Sequence, residues 1–139
     1  MPGIVIAAAL SLAVPSGWHV ARDPSDCDPV EHLEISSAPI RHTKGGELAG
    51  PARGQVLVLV MEDHVNKPVG PLRRPVHFRV PWGNMHRLEG CCGTPSSRGA
   101  LLWFRQRGRY LGFIVYAGPG TTMATRHATE RMLDSLRVR

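Results

Sequence analysis

No apolar stretch in this sequence is long enough to cross a bilayer. The longest, residues 4–14, has eleven residues, against the roughly 20 that a spanning helix needs. Cysteine is scarce: there are three, with no Cys-x-x-Cys pair, and His86 with Cys91-Cys92 also lacks structural zinc spacing. No Gly-x-Ser-x-Gly elbow, His-Glu-x-x-His pair or Walker loop occurs, and none of the seven histidines has another four residues on. The sequence therefore offers no catalytic residues, no metal ligands and no cofactor. Lysine is nearly absent, only Lys44 and Lys67 among 17 basic residues. In a chain rich in Ala, Gly and Pro, such an arginine bias needs no polyanionic partner to explain it.

What is present fits one α+β domain over residues 1–139. A chain of this length buries about 68% of its unfolded surface, so it folds without metal or disulfide. Its 15 Gly and 12 Pro imply many turns between short elements. Charge is unevenly placed, with 5 bases and 8 acids in residues 1–70 but 12 bases and 3 acids in residues 71–139. A basic second half attracts anionic partners, although no nucleic-acid module is recognisable.

The 4–14 run has the length of a signal segment's apolar core. No Lys or Arg precedes it, however, and Leu10, Leu12 and Val14 alternate with smaller residues up to the Pro15-Ser16-Gly17 turn. We expect a strand over 9–14, with residues 1–8 either disordered or a vestigial targeting segment, and a cytoplasmic location slightly favoured over secretion. Asp28, Pro29 and Glu31 match the start of a short helix over 29–34. Leu33-Glu34-Ile35 then alternates towards Pro39, and residues 41–54, with four glycines and no apolar period, form an exposed loop. Residues 56–61 are unbroken β-branched and aliphatic side chains, the pattern of a central strand covered on both faces. Three prolines in residues 66–75 exclude regular structure there. Val76, Phe78 and Val80 alternate with His77 and Arg79 as a half-exposed strand, and a further strand runs from His86 to Cys91.

A hairpin is the clearest element. Residues 100–105 and 110–116 are joined through Gln106-Arg107-Gly108-Arg109, where Gly108 supplies positive φ. A helix follows over about 122–136, capped by Thr121 or Thr122. Ala124, Ala128, Met132, Leu133 and Leu136 form its buried stripe, and Arg126, Glu130, Arg131 and Asp134 face water. Glu62-Asp63-His64 reads as a solvated strand end. Gly118-Pro119-Gly120-Thr121-Thr122 opens onto a helix N-terminus that can hold an anion, although capping also explains the threonines. Trp103, Arg105, Arg107 and Arg109 at the hairpin tip are the candidate polyanion contacts; the plainer reading is that charge there keeps apolar strands from pairing with other chains. As for the cysteines, Cys91 and Cys92 in a strand point to opposite faces, so at most one reaches Cys27 from inside. Buried free thiols are the competing reading.

Several segments together resemble a set of small uncharacterised proteins of high-GC actinobacteria. They are Val14-Pro15-Ser16-Gly17-Trp18-His19, Cys27-Asp28-Pro29-Val30 with Leu33 and Ser36-Ser37-Ala38-Pro39, Arg74-Pro75-Val76-His77-Phe78, Cys91-x-Gly93, Trp103-Phe104-Arg105-x-x-Gly108-Arg109, and Ala128 with Met132-Leu133-Asp134-Ser135-Leu136. The resemblance covers most of the chain from Val14. It implies an N-terminal strand before the Pro-x-Gly-Trp segment and a C-terminal helix on an antiparallel sheet, and brings no activity and no catalytic residues. It also implies that Cys27 lies within disulfide reach of Cys91 or Cys92; the second adjacent cysteine is a departure that leaves the partner open.

The expected architecture is an antiparallel sheet of five to seven strands with the 122–136 helix across one face. One helix covers one face, so the opposite face needs the first fifty residues, with Trp18, Val30 and Leu33 as plugs, or a partner. The expected function is non-enzymatic binding of a partner protein, or of a second copy, through that face. A basic module for nucleic acid or another polyanion is the alternative, and an enzyme ranks third.

Overall fold

The computed structural model describes residues 2–22, 29–65, 72–90 and 92–139. It is α+β, with two antiparallel sheets and one C-terminal helix among the described residues. The strands are β1 (Gly3–Ala7), β2 (Leu10–Val14), β3 (His19–Ala21), β4 (Val30–Ser36), β5 (Val56–Glu62), β6 (His86–Leu88), β7 (Ser97–Gln106), β8 (Arg109–Ala117) and, after helix α1 (Met123–Asp134), β9 (Arg137–Val138). The larger sheet has six strands in the order β3-β4-β5-β8-β7-β6, and the smaller has three in the order β1-β2-β9.

The apolar run at the start is a hairpin rather than one strand. β1 pairs with β2 from Gly3↔Val14 to Ala7↔Leu10, which places residues 3–7 in the smaller sheet. The turn places Ala8 and Ala9 at φ 51° and 59°, a left-handed pair that alanine rarely adopts and that sequence therefore does not announce. It is held by packing, with β2 wedged between β1 and β9 and Leu10, Leu12 and Val14 buried.

The predicted helix over 29–34 is instead β4. Leu33 and Ile35 point into the core opposite β5, and ladder pairing along Val30–Ser36 overrides the local capping pattern. Val30 and Leu33 are thus members of the sheet and not plugs over it; Asp28 lies outside the described residues. β5 and β8 are the central strands, with all seven residues of β5 buried, as the unbroken apolar run predicts. The β7–β8 hairpin also has the expected register, Gln106↔Arg109, with Arg107 and Gly108 at positive φ in its turn.

One face of the large sheet packs against the small sheet and α1. Val58, Val60, Phe113 and Val115 meet Leu12, Met132, Leu133 and Leu136 in one cluster. Thr122 caps α1 by accepting from the Thr125 N–H. Within α1 the buried positions are Thr129, Met132 and Leu133, with Leu136 buried just beyond, whereas Ala124 is exposed. The Thr129 hydroxyl donates to the Thr125 carbonyl, which is how a polar residue sits in that stripe.

Residues 76–80 form no strand, and the alternation there has another cause. Phe78 and Val80 are buried while Val76 is almost fully exposed. The Phe78 N–H donates to Asp134 Oδ1 (2.6 Å) and the Val80 N–H to Glu130 Oε2 (2.8 Å). Carboxylates of α1 thus satisfy backbone groups that a neighbouring strand would otherwise take, so Glu130 and Asp134 do not simply face water. Arg74 completes the clamp by donating to the Leu136 and Asp134 carbonyls at the end of α1. The strand predicted from His86 ends at Leu88, and Cys91 lies outside the described residues.

The opposite face carries Leu57, Leu59, Met61, Ile114 and Tyr116. Its cover comes from Leu48, a buried side chain within the otherwise mostly exposed 41–54 loop, and from the partly buried Ile40, while Leu88 and Trp103 of the sheet itself pack at its side. At the β7 margin that cover stops.

The turn at residues 52–55 braces the segment that leads into α1. The Gly118 N–H donates to the Gln55 carbonyl and the Gly54 N–H to the Pro119 carbonyl. Gly118 is required there, since a Cβ would lie 1.9 Å from the Ala52 carbonyl oxygen. Gly118→Ala is expected to cost about 1–3 kcal/mol or more, as overpacking against fixed backbone does, read as a lower midpoint in urea unfolding.

Candidate functional site

Trp103, Arg105, Arg107 and Arg109 all belong to the β7–β8 hairpin, but Arg109 parts from the other three. Trp103 lies flat against Gly112, where a Cβ would meet its ring at 2.5 Å, and its ring centroid is 5.0 Å from that of Tyr110. Arg105 and Arg107 are exposed. Arg109 turns away into a bidentate pair with Glu62, Nη2 to Oε1 at 2.6 Å and Nε to Oε2 at 2.9 Å. It is committed within the fold and leaves the polyanion set.

Glu62 is correspondingly no solvated strand end, being 5% exposed. His32 Nε2 lies 2.9 Å from the same Oε1, and His64 Nε2 lies 4.0 Å away. The register of β4 shifts between Glu31 and Leu33, making His32 the extra residue of a bulge. That bulge brings the imidazole to Glu62 from a neighbouring strand. Hydrogen bonding from Arg109, reinforced by His32 and opposed by burial, holds the Glu62 carboxyl at a pKa of about 2. A carboxylate so firmly ionised is a poor proton acceptor at neutral pH, and the cluster works as a buried ion pair.

The face opposite α1 holds two buried acids. Glu31 and Glu34 are buried, opposite Met61 and Leu59 of β5. Burial, with the nearby Glu31 charge, pushes the Tyr116 hydroxyl up to about 12, opposed by its hydrogen bond with Thr94. Strict alternation along β4 would put Glu31 and Glu34 on opposite faces; the bulge at His32 brings both to this one, and nothing local announced it.

At the β7 margin the same face is open. Leu101 is 51% exposed, beside the half-buried Trp103 and Tyr110. β6 pairs only with Ser97–Gly99, and the Arg105 N–H donates outward to the Leu72 carbonyl. By strand alternation the backbone groups of Leu101 and Trp103 point outward too. Among the described residues they have no strand beside them.

The disulfide expected between Cys27 and Cys91 or Cys92 rests on Cys27 and Cys91, which lie outside the described residues. Cys92 is exposed, in a turn at φ 55° rather than in a strand. No helix among the described residues is long and apolar enough to cross a membrane, and no metal-ligating cluster occurs among them.

No protein-family model, curated protein or solved structure matches this chain.

Proposed function

We propose that this protein is a non-enzymatic binding domain that takes an extended segment of a partner protein along the β7 margin of the sheet face opposite α1. The observation that carries this reading is the coincidence, at one margin, of an exposed Leu101, the Trp103–Tyr110 pair across β7 and β8, and outward-facing backbone groups of β7. Strand addition supplies backbone hydrogen bonds, and aromatic side chains supply anchoring area. Arg105 and Arg107 at the hairpin end give the site a basic border, which suits an acidic segment.

The polyanion reading retains Arg105 and Arg107 without Arg109. Salt separates the two. Contacts to a phosphate chain make affinity fall steeply with ionic strength, whereas an anchored apolar strand loses little.

The test places a photo-crosslinking residue at position 101 and, as an exposed control, at position 76. We expect one recurrent protein adduct from position 101 that disappears with Trp103→Ser, and none from position 76. Equal labelling from both positions overturns the reading. An adduct with a second copy of the chain replaces the acidic segment by self-association, and nucleic-acid binding lost on raising salt favours the polyanion.

A further inference from the structure

We infer that the cavity between Trp82, Arg98, Arg126 and the Gly118–Thr121 segment is a binding site for a small phosphate monoester, independent of the β7 margin. The cavity has a volume of about 360 Å³, room for a phosphate with a modest organic group. Two arginines, Arg98 and Arg126, line it, and no described lining residue carries a carboxylate.

Each guanidinium is held in place by the fold. Arg126 stacks over Trp82, 5.7 Å from the ring centroid, and Arg98 Nη2 donates to the Met85 carbonyl at 3.2 Å. Neither pairs with an acid among the described residues. Arginines left without a carboxylate in a concave site, in a chain where Arg109 finds one, are suited to bidentate oxyanion binding.

Unpaired donors supply a second line of evidence. The Trp82 indole N–H and the Arg126 Nε–H are buried with no acceptor among the described residues. Buried donors are nearly always paired, so these two mark a want of acceptors on residues that line the cavity. Thr121 lines the same cavity two residues before α1, whose first turn carries no acidic side chain to neutralise its partial positive charge. The loop is rigid where it must be: Gly118 is pinned to Gln55, and the Thr121 hydroxyl donates to the Gly118 carbonyl. Pro51, Met85 and Ala117 form an apolar wall, which is why an organic ester fits better than the bare anion.

The experiment is a titration of the whole chain with phenyl phosphate, inorganic phosphate and benzoate, read by the indole N–H resonance of Trp82, which is assigned through its loss in Trp82→Phe. We expect saturable displacement of that resonance, tightest for phenyl phosphate. Arg98→Gln and Arg126→Gln should each weaken binding about tenfold or more, while Arg107→Gln at the hairpin tip leaves it unchanged. No saturable shift with phenyl phosphate at about 10 mM overturns the inference and leaves a water-filled cleft. Equal weakening by Arg107→Gln overturns it as well, because diffuse surface charge then accounts for the binding. Should either arginine variant fail to fold, the wild-type titration still decides, and it does so without reference to any protein partner.

Discussion

Arg109→Met is expected to destabilise the protein by about 3–5 kcal/mol, the usual cost of removing one partner from a buried ion pair. For a chain of this size that lowers the melting temperature by roughly 10–17 °C. The variant leaves Glu62, 5% exposed, with His32 at 2.9 Å and His64 at 4.0 Å but no arginine. Glu62→Gln combined with Arg109→Met should recover much of the loss, because no lone charge then stays buried. Thermal denaturation of the two variants measures this, and a change below about 0.5 kcal/mol, the ordinary range of a surface substitution, would falsify the pairing.

The same pair sets an acid limb. The folded pKa of Glu62 lies at about 2, below its ordinary value of 4.5, so its contribution is complete above pH 4.5 and is lost as pH falls through about 2. The shift corresponds to about 3 kcal/mol. Without Arg109 the folded pKa rises towards 4.5, and stability should depend less on pH across that window. An unchanged acid limb in Arg109→Met would assign it to other carboxylates.

The second large effect is Leu133→Ala. Leu133 is fully buried in α1 where the helix meets the small sheet and β5, and truncating such a leucine costs about 2–5 kcal/mol through lost burial and residual cavity. Arg131, two residues away on the exposed side, should tolerate alanine within about 0.5 kcal/mol. Comparable losses in the two variants would mean that the buried stripe is misplaced.

The candidate site was legible only in its parts. Trp103, Arg105 and Arg107 stood out as an aromatic residue beside clustered charge, and they lie near one another on the β7–β8 hairpin. Arg109 belonged to the same cluster by spacing, but its partner Glu62 lies on the adjacent strand β5 and His32 on the next. A bulge decides which way His32 points, and bulges have no reliable local signature. The cavity drew one hint, the Gly118–Thr122 segment before a helix. Trp82, Arg98 and Arg126 come to it from separate stretches of chain, with no shared period to connect them.

Local pattern determined the elements whose partners are close in sequence or whose periodicity is strong. The β7–β8 hairpin followed from two apolar arms around Arg107-Gly108, β5 from a β-branched run too apolar to be exposed on either side, and α1 from its stripe and threonine cap. Tertiary structure decided the cases where one short segment had two adequate local solutions. Residues 29–34 carried a capping pattern and a strand pattern, and the open edge of β5 selected the strand. Residues 76–80 alternated like a strand, but Asp134 and Glu130 took their N–H groups from across α1. The 4–14 run folded back through two left-handed alanines because β9 and the core rewarded a second layer. In each case the deciding energy is a hydrogen bond or a buried contact with a residue distant in sequence, and no local window contains it.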